Sequence, residues 1–412
     1  MTLRVGMVAG EPSGDLIAAR VIQGLRRQSP DLVCEGIGGP AMQEQAMQLW
    51  HPMHALTVFG YVDAFKRLPQ LVRTYRDVRR RWLRHPPHVF VGIDAPDFNL
   101  RLESRLKQAG IPTVHFVGPS IWAWRYERIH KIRQAVSHML VLFPFEEAIY
   151  QKEGIPVTFV GHPLAQAIPS QPDQRLARQR LGLPADARVL ALMPGSRASE
   201  IQQLGPRFLQ AVQLLRRQDP ALHVVVPMVN PERQAQFRAL LSECPVPNLR
   251  IVQKEDCISS SGADHPATAA APATERDTWP AAWHVMEAAD AVLVASGTAT
   301  LEAALFKRPM VISYVLTPLM KKIMAWKSGQ SAPYVPWVGL PNVLAQRFVV
   351  PELLQDDATP DALAAATWEA LTNHEHRSDC IHTFARLHDT LAIDTARLAA
   401  DVILREGRGY AG

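Results

Sequence analysis

The chain has 412 residues, a formal net charge of +5 and 47% hydrophobic residues, so an ordinary globular protein with two domains of roughly 150–200 residues each is expected. Its four cysteines (Cys34, Cys244, Cys257 and Cys380) lack the spacing of a disulfide framework or a metal site. The sequence shows neither a signal-peptide pattern nor an apolar run long enough to cross a bilayer, which predicts a cytoplasmic protein with at most peripheral membrane contact.

The first part of the chain alternates predicted strands with predicted helices, a pattern typical of a parallel doubly wound sheet. The expected strands are Leu3–Ala9, Val33–Ile37, Val89–Ile93, Thr113–Val117, Met139–Phe143 and Val157–Val160. The expected helices are Leu16–Gln28, Leu71–Leu83, Leu100–Gln108, Arg125–Gln134 and Phe145–Lys152. The proline- and glutamine-rich stretch Gly161–Pro172 then predicts a linker.

A glycine-rich turn, Gly10–Asp15, follows the first strand. Helix N-termini with such an approach bind anions, but this turn is not a dinucleotide fingerprint and its two acids would repel a pyrophosphate. A sugar or acceptor contact through Glu11, Ser13, Gly14 and Asp15 is therefore one interpretation. A glycine turn in which Ser13 or Asp15 caps the helix is equally supported.

Within the segment 62–84, the stretch Lys66–Arg84 carries eight basic residues against one acid, Asp77, and apolar residues recur near helical spacing. This predicts a basic amphipathic helix, which either lies on an anionic membrane or packs on the sheet with a solvated basic face. Spacing alone favours the second alternative. No nucleic-acid-binding motif accompanies the charge, so nucleic acid is not an expected partner.

The buried strand Val89–Ile93 is followed by two carboxylates, Asp94 and Asp97. Ligands bind at the carboxyl ends of strands in open α/β sheets, and burying an unpaired carboxylate is costly, so one interpretation is a general base. The other is a cap for the next helix, expected at Asn99–Gln108. The cap is favoured for Asp97, whereas both alternatives stay open for Asp94.

A second series of strands and helices begins after the predicted linker, so two α/β domains in tandem are expected, with a cleft between their strand ends. The expected strands are Val189–Met193, His223–Pro227, Leu249–Val252, Ala291–Ala295 and Met310–Tyr314. The expected helices are Ile201–Gln218, Arg233–Leu241, Ala281–Ala288, Leu301–Phe306, Leu319–Lys327 and the alanine-rich segment Ala362–Arg405. The stretch Glu255–Pro280 lacks apolar periodicity and predicts a flexible surface insertion.

The loop Pro194–Arg197 follows the first strand of this series. Gly195 allows a ligand to approach the backbone, Ser196 supplies a hydroxyl, and Arg197 offers a planar fork for phosphate oxygens. The sequence therefore favours a phosphate site. The alternative is an ion pair between Arg197 and Glu200.

A similar loop follows Ala291–Ala295, where Gly297 and Thr298 open a helix that is suited to an anion. Glu302 lies one helical turn after Thr298, and a carboxylate there could accept both hydroxyls of a ribose. The alternative is an acid that only complements the helix dipole. Asn342, taken alone, indicates no more than an Asx turn. None of these loops has the residue pattern of a metal centre.

Several of these runs, taken together and in order, resemble the lipid-A-disaccharide synthase family over nearly the whole chain. The matching runs are Gly10–Asp15, Gly36–Pro40, Gly92–Asn99, Pro119–Arg125, Gly161–Pro163, Pro194–Arg197, Ala295–Glu302 and Leu340–Asn342. The resemblance implies the GT-B fold, in which two Rossmann-like doubly wound α/β domains face a central cleft. We expect an acceptor-side domain at 1–165, a UDP-sugar-binding domain at 166–382, and a C-terminal helix, about 383–412, that packs back on the first domain.

The same resemblance implies an inverting glycosyltransferase that joins UDP-2,3-diacylglucosamine to 2,3-diacylglucosamine 1-phosphate (lipid X). The expected products are a β-1,6-linked disaccharide 1-phosphate and UDP, made at the cytoplasmic face of the inner membrane in lipid A biosynthesis. A membrane-held anionic substrate shifts the preference for segment 62–84 towards membrane contact. No cofactor and no metal ion are expected. The oligomeric state is left undecided, with a homodimer as one alternative.

By resemblance, Asp94 is the general base and Asp97 becomes a cap or support. Asn342 joins Ser196, Arg197, Gly297, Thr298 and Glu302 as donor-binding residues, and Ser120 joins the acceptor-binding residues. Rival functions are another GT-B transferase acting on a lipid-linked peptidoglycan precursor, a UDP-sugar epimerase, a nicotinamide-dependent oxidoreductase and a non-catalytic nucleotide-binding protein. The missing dinucleotide fingerprint argues against the oxidoreductase.

Overall fold

The computed structural model describes residues 2–56, 61–257, 275–316 and 334–410, with side chains from residue 68 onward in the helix that begins at Tyr61. These residues form two compact units. Unit 1 comprises the described residues within Met1–Gln166 and Leu391–Gly412, together with Tyr334, and unit 2 comprises those within Ala167–Lys327 and Val335–Thr390. The predicted helix Leu319–Lys327 and most of the predicted insertion lie outside the described residues.

Unit 1 contains a seven-stranded parallel sheet with the order β3-β2-β1-β4-β5-β6-β7. Its strands are β1 (Arg4–Ala9), β2 (Val33–Gly38), β3 (Gln48–Pro52), β4 (Val89–Ile93), β5 (Thr113–Phe116), β6 (His138–Val141) and β7 (Val157–Phe159). The edge strand β3 was not predicted, because Gln48–Pro52 contains a histidine and a proline and no run of apolar residues.

The helices of the first part of the chain are α1 (Pro12–Gln28), α2 (Pro40–Glu44), α3 (Tyr61–Arg84), α4 (Pro96–Gln108), α5 (Ile129–Ala135), α6 (Pro144–Lys152) and α7 (Pro163–Ala167). Short 3-10 turns lie at Met53–Ala55 and Tyr126–Arg128. Helix α7 occupies part of the stretch Gly161–Pro172 that was predicted to be a linker, and the boundary between the two units, after Gln166, lies within that stretch.

Alternate residues of the central strands serve two separate cores, as a doubly wound sheet requires. Met7 and Val91 belong to the core that also contains residues of α1, whereas Val8 and Phe90 belong to the core that contains residues of α3 and α4. Every residue of β4 is buried as a result. The continuous apolar run that predicted this strand therefore reflects burial on both faces.

Trp82 of α3 packs directly against the sheet, and two glycines make room for its ring. A Cβ atom at Gly6 would lie 2.9 Å from the indole, and one at Gly36 would overlap the carbonyl oxygen of Met7 and approach the indole to 2.9 Å. Gly36 also has φ +144°, a value that side-chain-bearing residues rarely adopt. These two positions therefore admit α3 to the face of the sheet.

Unit 2 contains a six-stranded parallel sheet with the order β10-β9-β8-β11-β12-β13. Its strands are β8 (Val189–Met193), β9 (His223–Pro227), β10 (Leu249–Val252), β11 (Ala291–Ala295), β12 (Met310–Tyr314) and β13 (Glu352–Leu354). Five of these strands have the predicted bounds. The sixth, β13, has only three half-buried residues, which is too short a run to be recognised in sequence.

The remaining helices are α8 (Gln174–Arg180), α9 (Ala198–Gln218), α10 (Pro231–Glu243), α11 (Ala281–Ala288), α12 (Thr298–Leu305), α13 (Leu340–Ala345), α14 (Pro360–Thr372), α15 (His374–Leu391) and α16 (Thr395–Tyr410). Further 3-10 turns lie at Lys254–Cys257, Glu275–Thr278 and Gln355–Asp357. The described ends of the predicted insertion are folded, since Cys257 and Trp279 are buried. Within the described residues no helix is both long and apolar enough to span a bilayer.

The C-terminal helix α16 packs against α1 in unit 1. The approach is close at Gly24, where a Cβ atom would lie 2.5 Å from the carbonyl oxygen of Ala396. The return to unit 1 begins at Leu391, later than the expected position near 383, because α15 belongs to unit 2 almost to its end.

Candidate active site

The predicted base, Asp94, directly follows β4 and is half-buried. Asp94 and Ala95 both have left-handed backbone conformations, with φ of +52° and +44°. Residues with a Cβ atom rarely adopt this conformation, and when they do they are often at functional sites. The Asp94 N–H donates to the carbonyl oxygen of Phe116 (2.8 Å), which links this turn to β5. Asp94 therefore lies in a strained turn at the carboxyl edge of the sheet.

Neither acid caps α4, so the predicted cap was wrong for Asp97. The helix begins at Pro96, and its N-cap is Ala95, which makes no side-chain cap bond. Proline is favoured at the first helical position because its missing N–H would have no partner there. Asp97 is an exposed residue of the first turn, and its carboxylate pairs with Arg128 at 2.5 Å.

The predicted glycine turn lies beside Asp94, because β1 pairs with β4 in the sheet. A Cβ atom at Gly10 would lie 2.9 Å from the Cβ of Ala95, so the two turns approach closely only with glycine there. Gly14 is buried, and a Cβ atom on it would lie 3.5 Å from the Cγ2 of Ile93. The structure thus brings the turn and Asp94 to one edge of unit 1.

Three predicted acceptor-binding residues are exposed near the strand ends of unit 1. Glu11 is the N-cap of α1 without a side-chain cap bond, and Ser13 lies in the first turn of that helix. Ser120 follows β5 in a loop that begins with Val117 at φ +65°. A β-branched residue at positive φ is a conformational outlier. The role of these side chains in acceptor binding stays a prediction.

Asp15 does not have the predicted role. Its carboxylate is buried, with 4% of the residue exposed, and accepts hydrogen bonds from three backbone N–H groups of another segment. The donors are Gly39 (2.8 Å), Ala41 (3.0 Å) and Met42 (3.1 Å) at the start of α2. Asp15 therefore caps the N-terminus of α2 from a distance in sequence, and both of its oxygens are engaged.

Two buried titratable residues near the ends of β6 and β7 were not predicted as part of the site. Glu146 Oε2 accepts the N–H of Phe143 (3.2 Å), the N-cap residue of α6, and burial raises the pKa of Glu146 to about 7. The His162 imidazole stacks on the Phe143 ring at 5.7 Å, and burial lowers its pKa to about 4. The run Gly161-His162-Pro163 was a signal for the histidine, although the sequence assigned it no role.

In unit 2, the predicted phosphate loop follows β8, and Glu200 shapes it. Gly195 has φ +120°, and a Cβ atom there would overlap the Glu200 side chain. Glu200 Oε2 accepts the N–H groups of Ser196 (3.0 Å) and Arg197 (3.2 Å), while its Oε1 accepts from Arg197 Nη1 (3.0 Å). The alternative ion pair is thus present. It is worth little in water, and the Arg197 side chain is 78% exposed.

The second predicted anion site follows β11, the neighbour of β8 in the sheet. Gly297 is the N-cap of α12 at φ +150°, and a Cβ atom there would meet open space. Thr298, the first residue of α12, is exposed. The N-terminus of this helix is therefore accessible to an anion, as the loop pattern predicted.

Glu302 lies on α12, and its Oε1 accepts the indole N–H of Trp283 at 3.0 Å. Burial raises the pKa of Glu302, and the bond from Trp283 opposes that effect. Sequence reasoning missed Trp283, because its position on α11 becomes significant only when the two helices are packed together. The indole orients the carboxylate that was predicted to bind ribose.

Asn342 is fully buried, and every hydrogen-bonding position of its amide is occupied. Its Nδ2 donates to the carbonyl oxygen of Val350 (2.9 Å) and to Glu352 Oε1 (2.8 Å). Its Oδ1 accepts the N–H groups of Val349 (2.8 Å) and Val350 (3.0 Å). The prediction of a direct donor contact was therefore wrong, since no polar atom of this side chain remains for a ligand.

Comparisons with known proteins agree on one family. Residues 5–261 and 278–403 match the family described as lipid-A-disaccharide synthetase. The lipid-A-disaccharide synthase of Bordetella petrii is 66% identical over 411 residues, and that of Bordetella pertussis is 64% identical, each covering 100% of both chains. The enzyme of Methylobacillus flagellatus is 45% identical over 97% of this chain and 98% of its own.

Solved structures share the fold at low sequence identity. The glycotransferase of kitacinnamycin has a TM-score of 0.60 at 17% identity, covering 98% of this chain and 99% of its own. The calicheamicin glycosyltransferase CalG4 has a TM-score of 0.56 at 16% identity, covering 99% of both chains. The predicted fold class, two Rossmann-like domains of the GT-B type, is confirmed. The chain belongs to the lipid-A-disaccharide synthase family, glycosyltransferases of lipid A biosynthesis.

Proposed function

We propose that this chain is an inverting glycosyltransferase that joins UDP-2,3-diacylglucosamine to lipid X. The reaction gives the β-1,6-linked lipid A disaccharide 1-phosphate and UDP. Family membership supports the reaction class, and Asp94 in its strained turn at the end of β4 is the observation that carries the chemistry. Unit 1 binds the acceptor, and unit 2 binds the UDP-sugar.

Asp94 accepts the proton of the acceptor 6-hydroxyl while that oxygen attacks the anomeric carbon of the donor. The new carbon–oxygen bond forms on the face opposite the bond to UDP, so the configuration inverts. Attack on an oxocarbenium-like centre makes the hydroxyl more acidic as the reaction proceeds, which suits a carboxylate base. The exposed Glu11 and Ser13, on the turn beside Asp94, orient the acceptor sugar.

The departing UDP carries away the electron pair of the broken bond, so its pyrophosphate gains negative charge. The accessible N-terminus of α12 at Gly297 and Thr298 and the exposed guanidinium of Arg197 stabilise that charge. Arg197 exchanges an exposed ion pair with Glu200 for the phosphate, at small cost. Glu302, held by Trp283, binds the ribose hydroxyls.

The decisive experiment is incubation with UDP-2,3-diacylglucosamine and lipid X, with the product identified by mass and its anomeric configuration by NMR. Asp94→Asn should lower kcat by about 10²–10⁴-fold, the range of general-base catalysis. Asp97→Asn is the matched control, because it makes the same chemical change on an exposed neighbour, and it should stay close to the parent. Turnover of Asp94→Asn within a few-fold of the parent excludes the proposed base. UDP release only in the presence of lipid X excludes a non-catalytic nucleotide-binding protein, and the absence of a disaccharide product would exclude the proposed transfer.

We also propose that α3 holds the enzyme on the inner face of the cytoplasmic membrane. Thr74, Val78 and Trp82 form its buried face. The opposite face exposes large apolar side chains together with arginines: Leu68, Val72 and Leu83, with Arg73, Arg76, Arg80 and Arg84. A helix with this composition binds anionic bilayers by combining apolar insertion with charge attraction.

Membrane binding is tested by co-sedimentation with vesicles that contain anionic phospholipid. Changing Arg73, Arg76 and Arg80 to Gln should weaken binding by about 100-fold, since each basic residue near the surface contributes about 1 kcal/mol. Three exposed arginines of unit 2, Arg217, Arg238 and Arg386, give a charge-matched control triple that should leave binding unchanged. Equal losses for both triples would show that net charge, and not α3, drives the association.

A further inference from the structure

A buried row of polar side chains lies beneath Asp94, between α4 and the sheet. Asn99 and Glu103 are one turn apart on α4, His115 lies on β5, and all three are 0% exposed. Burying polar and ionisable groups in such a layer costs free energy unless they bond to one another or to the backbone. Their placement next to a strained turn therefore needs a physical explanation.

Asn99 bonds to the backbone of that turn. Its Nδ2 donates to the carbonyl oxygen of Asp94 at 2.7 Å and to that of Ile93 at 3.3 Å, and it approaches the carbonyl oxygen of Val8 at 3.5 Å. These carbonyls stand where β1 and β4 end. Because three acceptors surround Nδ2, the amide orientation is fixed, and Oδ1 points away from the turn.

Glu103 continues the row towards β5. Its Oε1 is 2.8 Å from His115 Nδ1, which leaves Oε2 as the second oxygen of a buried carboxyl. Among the described residues, neither Glu103 Oε2 nor Asn99 Oδ1 has a hydrogen-bond donor. Both side chains flank Gly92, where a Cβ atom would overlap Glu103 Oε1 and lie 3.1 Å from Asn99 Cγ. Two buried oxygens on successive turns are thus left without a donor.

We propose that Glu103 is a neutral carboxylic acid that donates its proton to Asn99 Oδ1, and that Asn99 is a positioning residue for Asp94. His115 Nδ1–H donates to Glu103 Oε1, Glu103 Oε2–H donates to Asn99, and Asn99 Nδ2–H donates to the Asp94 carbonyl. This chain gives each orphaned oxygen a donor. Burial, which raises the pKa of Glu103 against the opposing effect of His115, agrees with the neutral form.

The bonds from Asn99 stabilise two consecutive left-handed residues, a conformation that costs about 1–2 kcal/mol per residue. Without them the turn relaxes, and the Asp94 carboxylate moves away from the acceptor hydroxyl. A displacement of about 1 Å at a reacting group can cost about 10²-fold in rate. This inference rests on the proposed function only for the role of Asp94 as the reacting carboxylate.

The kinetic test compares two isosteric variants. Asn99→Asp removes the donor to the Asp94 carbonyl, so kcat should fall by about 10–100-fold while KM for both substrates stays within about twofold. Glu103→Gln keeps both bonds, with its amide N–H directed at Asn99 and its oxygen at His115, so kcat should stay within about threefold of the parent. Asn248→Asp, on an exposed asparagine of unit 2, is the matched control.

Infrared spectroscopy tests the protonation state of Glu103 independently of activity. The difference spectrum between the parent and Glu103→Gln at neutral pH should contain a carboxylic acid C=O band, because the contribution of Glu146, whose pKa is about 7, is common to both proteins and cancels. A missing band, a parent-like kcat for Asn99→Asp, or equal damage from Glu103→Gln and Asn99→Asp would each overturn the proposal. A fully active Asp94→Asn would instead refute the proposed base, whatever the band shows.

Discussion

A substitution at Asp15 distinguishes the role predicted from the sequence from the role that the structure shows. The expected acceptor contact and the observed cap of α2 predict different outcomes for Asp15→Asn. The amide has the shape of the carboxylate but only one acceptor atom. Gly39 and Met42 N–H can still bond to Oδ1, whereas the N–H of Ala41 would face an NH₂ group in place of Oδ2.

The magnitude follows from these contacts. A hydrogen bond to a charged group contributes about 1.5–3 kcal/mol, and the unpaired N–H of Ala41 and the lost charge at the start of α2 act in the same direction. We therefore expect a local loss of about 2–3 kcal/mol. In hydrogen–deuterium exchange, the amides of Gly39 and Met42 should exchange about 30- to 150-fold faster, since 1.4 kcal/mol corresponds to tenfold.

The assay pairs this exchange rate with the KM for lipid X, measured well below the unfolding temperature. Asp31→Asn is the matched control, because Asp31 is an exposed acid close to the end of α1. We expect faster exchange and an almost unchanged KM in Asp15→Asn. Unchanged exchange with a KM raised tenfold would refute the reasoning and would return Asp15 to the acceptor site.

Three further predictions concern single side chains. Trp283→Phe removes the donor to Glu302 and should raise KM for the UDP-sugar by about 5–10-fold with little change in kcat, whereas an unchanged KM would separate Glu302 from donor binding. Because the pKa of Glu146 rises from 4.5 to about 7 on folding, its stabilising contribution is present below about pH 4.5 and is lost as pH rises through about 7. Glu146→Gln should therefore gain stability over the parent, of the order of 1–3 kcal/mol at about pH 8 and less at about pH 5, in urea unfolding; an equal difference at both pH values would contradict this. Asn342→Asp places an oxygen against two acceptors and should destabilise unit 2 by about 2–4 kcal/mol relative to Asn373→Asp, while a stable variant with weaker UDP-sugar binding would restore Asn342 to the donor site.

Periodicity alone was sufficient to predict most of the sheets. Val89–Ile93 and Ala291–Ala295 are continuous apolar runs because both faces of a doubly wound sheet are covered, and their predicted bounds are those observed. Two short edge strands were missed because they contain no such apolar run. Gln48–Pro52 and Glu352–Leu354 lie at the edges of their sheets, where half-buried positions require no apolar run.

The predicted strand bounds also located the loops at which chemistry is expected, because these loops directly follow the carboxyl ends of the strands. Asp94, the turn at Gly10 and the start of α12 all lie at such ends. The glycines were informative too, because Gly195 and Gly297 have backbone conformations that the loop pattern requires.

The partners of individual polar side chains were decided only by the tertiary structure. Asp15 bonds to amides that begin 24 residues away, and Trp283 bonds to Glu302 across 19 residues. An acid in a glycine turn has the same local sequence whether it meets a sugar or the N-terminus of another helix. The sequence by itself therefore determined the strands, their ends and the family, whereas packing decided which polar groups at those ends are already satisfied and which remain for a substrate.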